Sequence, residues 1–198
     1  GNVSVPNTQS KTTHTLPPIT ALGGSEPRIE TVASVTCREV PEVALASVTA
    51  RLGHESQTKT ALEKAVGMAA PDVGHVATKT LTAFWTGPDQ WMVEGPFDSH
   101  EDLAAQLKTR VKDHASVAEQ TDAWTRFDVS GENVLGVMEL LCNLNTRQMA
   151  VDTVNRSSIH HLGCFIRRIT NDHFGIYGPR ASAGSLHHAI ITAMSSVR

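Results

Sequence analysis

The chain writes one pattern twice. From Ala83 it runs AFWTGPDQWMVEGPFDSHEDLAAQL, and from Ile166 it runs IRRITNDHFGIYGPRASAGSLHHAI. Shifted by eighty-three positions, the two align without a gap: Asp89 falls on Asp172, Trp91 on Phe174, Val93 on Ile176, and Gly95-Pro96 on Gly178-Pro179. Ser99 falls on Ser182, Leu103 on Leu186 and Leu107 on Ile190. Self-similarity at a fixed offset constrains a fold more than local propensity does. Two copies are too few for a solenoid, so the pattern implies one domain built as an internal pseudo-duplication.

Each copy has a physical logic. An apolar run ends at a polar turn, and an aromatic and a β-branched residue then alternate with other side chains, the period of a strand. Gly-Pro reads as the stop, because proline cannot donate to a ladder and glycine frees a turn. Ser99 and Ser182 are candidate N-caps. Leu103, Leu107 and Val111 follow at helical spacing, as do Leu186, Ile190, Ala193 and Val197. Each copy predicts a β-hairpin feeding an amphipathic helix.

The flanking segments extend the repeat. TVASVTCREV and EVALASVTARL, divided at Pro41, are strand-like, and Ser56 to Ala65 predicts a helix. Val76 to Trp85 reads as one strand. In the second half, Val117 to Val129 is strand-like and Ser130 is a candidate cap. Val134, Val137, Met138 and Leu141 form a helix face, Asn143 to Ser157 a polar connection, and Ile159 to Ile169 a strand. The predicted fold class is α+β: two pseudo-repeats of β-α-β-β-α, antiparallel sheets with helices packed on them. The domain is expected over 30–198, repeat one about 30–115 and repeat two about 116–198. Residues 1–29, rich in Ser, Thr, Pro, Asn and Gly, read as a flexible or partner-bound arm. Leu16, Ile19, Ala21 and Leu22 would be its anchors.

Charge and cysteine content narrow the function classes. The formal charge is -3, from 17 basic and 20 acidic residues, with no basic run, so a nucleic-acid footprint is missing. Cys37, Cys142 and Cys164 are odd in number and far apart, which fits free thiols in a reducing cytoplasm better than a disulfide framework. No apolar stretch reaches the roughly 18–20 residues of a membrane span. No basic-then-apolar signal segment opens the sequence. A cytoplasmic protein follows as the expectation.

Candidate chemistry is sparse. Among the 10 histidines, His160-His161 near Cys164, and His187-His188, invite a metal reading. Adjacent strand residues face opposite ways, and neighbours on a helix stand about 100° apart, so neither pair converges well. The plainer assignment is surface or interface histidines. Cys142 lies in an apolar helical run and reads as a buried small hydrophobe. Ser130 lacks the Gly-x-Ser-x-Gly frame of a nucleophile. Gly131 and Gly136 are isolated and form no phosphate loop. Arg167-Arg168 beside Asp172 could hold an anion, but a solvated hairpin rim is the simpler expectation. Trp85, Trp91 and Trp124 read as core or subunit contacts. No catalytic, cofactor-binding or metal residue is assigned.

The segments AFWTGPDQWMVEGP, WTRFDVSGENVLGVMELLCNL and HHLGCFIRRITNDHFGIYGPRASAGSLHHAI resemble the gamma subunits of the heterotetrameric sarcosine oxidases. The resemblance covers about Val35 to the C-terminus. The order Asp-Val-Ser-Gly, apolar helix, polar link, strand and hairpin is also similar to the first domain of the glycine-cleavage aminomethyltransferase family. The first resemblance implies a small non-catalytic subunit held by alpha, beta and delta partners in a complex. That complex would demethylate sarcosine oxidatively to glycine, hydrogen peroxide and formaldehyde or methylenetetrahydrofolate. FAD, covalent FMN, NAD and zinc would belong to the other subunits, with no cofactor in this chain. The second implies a stand-alone folate-binding protein. The aminomethyltransferases carry a Gly-Gly-Ile segment followed by acidic residues; here the matching stretch is NLNTRQMAVDTVNRSSIHHLGCF, and Asp152 sits in another context. The Lys-Gly-Cys-Tyr segment of related iron–sulfur maintenance proteins is missing too. No family residue is carried over.

Overall fold

The computed structural model describes residues 18–197. Eleven strands and five helices follow in the order β1 (Ile29–Val32), β2 (Val35–Glu39), β3 (Val43–Ala50), α1 (Glu55–Val66), β4 (Val76–Thr78), β5 (Thr82–Gly87), β6 (Gln90–Pro96), α2 (Phe97–His100), α3 (Leu103–Val111), β7 (Ala115–Glu119), β8 (Trp124–Gly131), α4 (Val134–Leu141), β9 (Thr153–Ile159), β10 (Leu162–Thr170), β11 (His173–Pro179) and α5 (Ala183–Ser196). No helix among the described residues is long and apolar enough to cross a membrane.

The strands form two antiparallel sheets. One is ordered β4-β5-β6-β3-β7, the other β9-β10-β11-β8-β2-β1. The first four strands of each sheet occur in the same relative order. Strands β6 and β11 begin eighty-three positions apart, at Gln90 and His173. At the far side the halves trade strands. β2 precedes β3 in the chain yet pairs with β8; β7 precedes β8 yet pairs with β3.

Two-residue periodicity divides each strand between two cores. On β6, Trp91 and Val93 face α1 and α3, in a cluster with Leu62, Leu103 and Leu107. On β11, Phe174 and Ile176 face α4 and α5, with Val137, Met138, Leu186 and Ile190. The opposite faces meet each other. Leu45, Phe84, Met92, Val154, Phe165 and Tyr177 form a third cluster supplied by strands alone. The layers therefore run helix, sheet, sheet, helix. One corner of the sandwich is stitched by a His75–Thr153 bridge, with Val154 N–H donating to Gly74 O.

The sequence expectation differs first in its strand count. Each half is β-α-β-β-β-α, with one strand more than β-α-β-β-α. Val76 to Trp85 is a hairpin rather than one strand, closed where Thr78 pairs with Thr82. The supposed polar connection contains β9. That strand lies on the sheet edge with a mostly exposed face, so its polar composition masks it.

The Gly-Pro stop also works differently from the expectation. Gly95 and Gly178 lie inside strands, and neither has a positive φ. They clear space for side chains. A Cβ on Gly178 would lie 2.5 Å from Leu186 Cδ2, and one on Gly95 would lie 2.9 Å from Leu81 Cδ2. Pro96 and Pro179, both with extended backbone, then start the turns that precede α3 and α5.

Two of the three predicted caps are relocated. Ser130 is inside β8, and Asn133 holds the N-cap position of α4. Ser99 lies within α2, its Oγ 2.8 Å from His100 Nδ1, while Asp102 precedes α3. Ser182 does precede α5, without a side-chain capping bond. Residues 18–28 lie on the chain's own domain. Thr20 is buried, Ala21 and Leu22 pack on the core beside α5, and Arg180 Nη2 donates to Ile19 O. Ile19 is exposed, and Leu16 falls outside the described residues.

Candidate functional site

The densest meeting of charged side chains lies between the two sheets. β8 carries Arg126 and Asp128 on its inward face, and β6 carries Glu94 opposite them. Arg126 Nη1 donates to Glu94 Oε1 at 2.7 Å. The same guanidinium grips Asp128 with two bonds, Nε to Oδ1 at 2.7 Å and Nη2 to Oδ2 at 2.8 Å. Tyr177, from β11, donates its hydroxyl to Glu94 Oε2 at 2.8 Å. His173 Nε2 sits 2.9 Å from Asp128 Oδ2, close enough to pair when protonated but off the line of a directed hydrogen bond. Gly175 lies beside the set: a Cβ there would make ordinary contacts, 3.5 Å from Asp128 Oδ1 and 3.6 Å from Arg126 Nε.

The electrostatics make this a locked set. Burial disfavours the charged guanidinium of Arg126, but Tyr177, Glu94 and Asp128 outweigh it and hold the group firmly protonated. Burial alone would raise Asp128. The His173 ring and Arg126 reverse that and keep the carboxyl below its usual range. Burial, with Glu94 adding to it, pushes the Tyr177 hydroxyl well above its ordinary value, so it stays a donor. All four carboxylate oxygens are engaged by this chain's own groups. Such a network orients and fastens; a general acid or base needs a free oxygen and a pKa near the working pH. Its chemistry is structural, a polar latch across the sandwich.

Arg167 and Arg168 overturn the expectation of a solvated rim. They are 5% and 7% exposed. Arg167 reaches across the seam to Thr78 Oγ1 at 3.1 Å. Arg168 turns to the other side and donates to the carbonyls of Thr146, Met149, Thr170 and Asn171. It holds the 142–152 loop against the sheet and stacks over Phe174, 5.5 Å from the ring centre. Asp172 remains exposed in the turn, bonded to Thr170. A run of two arginines in a hairpin looks solvated in sequence; here backbone carbonyls meet Arg168, and a seam hydroxyl meets Arg167, whose buried Nε has no partner among the described residues.

His160 and His161 are not strand residues. Both have positive φ, 46° and 67°, and form the two-residue turn between Ile159 and Leu162. They are exposed, whereas Cys164 is fully buried in the core, its thiol pushed up to about 11 chiefly by burial. Among the described residues, no three His, Cys, Asp or Glu groups are placed to share a metal ion. These donors do not fit zinc. Cys37 is buried too, pushed up to about 12 by burial and then by Glu30, Asp128 and Glu39. Cys142 sits half-buried at the end of α4 rather than inside it, its Sγ 3.4 Å from Met138 O. His187 is buried against Phe127, and His188 is exposed beside it. Trp91 is wholly buried and donates to Pro71 O at 2.9 Å. Trp85 pairs with it across the hairpin, and Trp124 packs on Phe165 at 5.3 Å. Asp152 takes φ 58° at the start of β9 and belongs to no cluster. Gly131 has φ 136° and a backbone role: its position closes against Ser34.

The seam network escapes sequence reasoning because its members come from three strands. One signal was present: Glu94 and Tyr177 are eighty-three positions apart, partners in the doubled pattern.

Neither a protein-family model nor a curated protein matches this chain. Solved structures do. A chain of the heterotetrameric sarcosine oxidase from Corynebacterium sp. U-96 superposes with a TM-score of 0.72 at 20% identity, over 86% of this chain and 90% of that one. The glycine cleavage system aminomethyltransferase T from Bartonella henselae superposes with a TM-score of 0.61 at 14% identity, over 81% of this chain. This chain spans 46% of that protein's length. At these identities the likeness establishes the fold, an aminomethyltransferase-like α+β fold with two antiparallel sheets.

Proposed function

We propose that this chain is a small non-catalytic subunit of a sarcosine oxidase-type heterotetramer, the gamma role, assembled with alpha, beta and delta partners. The observation that carries it is the reciprocal coverage, 86% of one chain and 90% of the other, with a chain from such a heterotetramer. The match spans nearly the whole of two chains of similar length. Against the aminomethyltransferase the shared fold spans 46% of that protein. The seam supports a structural role, because its ionisable groups are consumed by one another. On this reading the two halves arose by internal duplication, and FAD, covalent FMN, NAD and zinc sit on the partners.

Two measurements test the proposal. Purified from its source, the chain co-purifies with flavin-bearing subunits and the complex makes peroxide from sarcosine. Expressed alone it is colourless and inactive. Sarcosine oxidation by the isolated chain refutes the role, and tight tetrahydrofolate binding by it favours the stand-alone alternative. Residues 1–17 are proposed to dock on a partner. Their deletion should weaken assembly and leave the domain folded; unchanged co-purification contradicts this part.

A further inference from the structure

We propose that the groove between α1 and the C-terminal end of α3 binds a short acidic polypeptide segment. The groove has a volume of about 510 Å³. One wall is the α1 face of Ser56, Gln57, Thr60 and Lys64; the other carries Arg110 and Lys112. Every charge lining it is basic, in a chain whose formal charge is -3. His114 lies at its floor, fixed by an Nδ1 to Nδ1 contact of 3.0 Å with His54 and by Thr58, whose hydroxyl sits 3.0 Å from His114 O.

A plainer role for cations at this place is to offset the negative end of α3. Lys108 already does that. Its Nζ donates to Lys112 O and, at 3.2 Å, to Ala115 O. Among the described residues, the heads of Lys64, Arg110 and Lys112 have no carboxylate or carbonyl partner. Lys112 moreover has φ 51° and ψ -128°, a backbone state lysine rarely adopts. That turn takes it out of the path of α3.

The dimensions select the ligand. Lys64 lies eight positions after Ser56, about 12 Å along a helix. A single phosphate cannot touch both ends. An extended peptide covers about 12 Å with roughly four residues, which lets its carboxylates meet Lys64, Arg110 and Lys112 together. The α1 N-terminus itself is met by Glu55, whose carboxylate accepts from Gly53 N–H at 3.0 Å, so the attraction for a carboxylate comes from Lys64, Arg110 and Lys112. The inference does not depend on which assembly the chain joins.

The test uses the full chain and a dye-labelled hexaglutamate peptide, read by fluorescence anisotropy at low ionic strength. Saturable binding is expected, weakening as salt is added. The variant Lys64→Glu/Arg110→Glu/Lys112→Glu should bind about ten-fold more weakly or not at all, three exposed pairs being removed and reversed. A control with the same charge change outside the groove, Arg38→Glu/Lys59→Glu/Lys79→Glu, should bind nearly as well as the parent. Equal loss in both variants overturns the proposal in favour of diffuse charge. Binding of inorganic tripolyphosphate without binding of hexaglutamate overturns it in favour of a small-anion site, and absence of any groove-dependent binding overturns it outright. Circular dichroism of each variant checks that the fold survives; five of the six positions are exposed and Arg38 is half-buried.

Discussion

Tyr177 donates its hydroxyl to Glu94 at 2.8 Å across the sheet–sheet seam, and the two residues stand at the offset by which the chain repeats itself. The contact joins equivalent places in the two copies. In one copy the position is a carboxylate, in the other a phenol, and the asymmetry makes a bond where two identical residues would repel or leave a lone pair unmet.

Breaking this contact should loosen the sandwich. Tyr177→Phe leaves one buried Glu94 oxygen without a donor and should destabilise the fold by about 1–3 kcal/mol. Glu94→Leu strips a buried guanidinium of one partner and should cost about 3–5 kcal/mol. Urea denaturation of both single variants and the double variant gives the coupling. Additive effects would mean that the bond does not join the halves.

Arg168 should matter more than an arginine in a hairpin ordinarily does. Arg168→Met removes the donors to four carbonyls, and the expected loss is about 2–3 kcal/mol. Hydrogen exchange should quicken first in the 142–152 loop. Unchanged exchange there would show that the loop holds itself.

Gly131 and Gly23 make a paired test of backbone demand. Both have positive φ, but a Cβ on Gly131 would meet Ser34 O at 1.9 Å, whereas Gly23 has nothing within 4 Å. Gly23→Ala should therefore cost about 1 kcal/mol, from φ alone. Gly131→Ala must move the β1–β2 turn and should lower the melting temperature several times as far. Similar shifts for the two would show that the turn yields freely.

His187 sets an acid limit. Burial depresses its pKa, with Arg28 and His188 acting the same way and Glu30 and Glu39 opposing. A histidine held neutral in the fold binds fewer protons than it does unfolded. Its contribution is therefore fully present above the unfolded value near 6.5 and is lost as pH falls below it. The stability difference between pH 7.5 and 5.5 should shrink in His187→Gln. An unchanged difference would assign the acid sensitivity elsewhere.

Thiol reagents should find this chain unreactive when folded. Cys37 and Cys164 are buried, with thiols pushed up to about 12 and about 11. At pH 8 neither supplies useful thiolate. Half-buried Cys142 should be the first to label, slowly, with the others appearing only in denaturant; peptide mapping distinguishes them.

The sequence by itself determined the local and periodic features of this protein. The eighty-three-residue offset reappears as β6 and β11, and the helix faces of Leu103, Leu107 and Val111, and of Leu186, Ile190 and Ala193, are buried as spaced. Those are properties of neighbours along the chain, and hydrophobic period reports them directly. Tertiary structure decided the rest. β9 is polar because it lies on an edge, and Arg167 and Arg168 are buried because carbonyls and a hydroxyl from distant segments meet them. Gly178 is small because Leu186 comes from the next helix. The latch of Glu94, Arg126, Asp128 and Tyr177 exists only once β6, β8 and β11 face each other. Burial turns scattered charges into one satisfied network, and no stretch of sequence contains that environment.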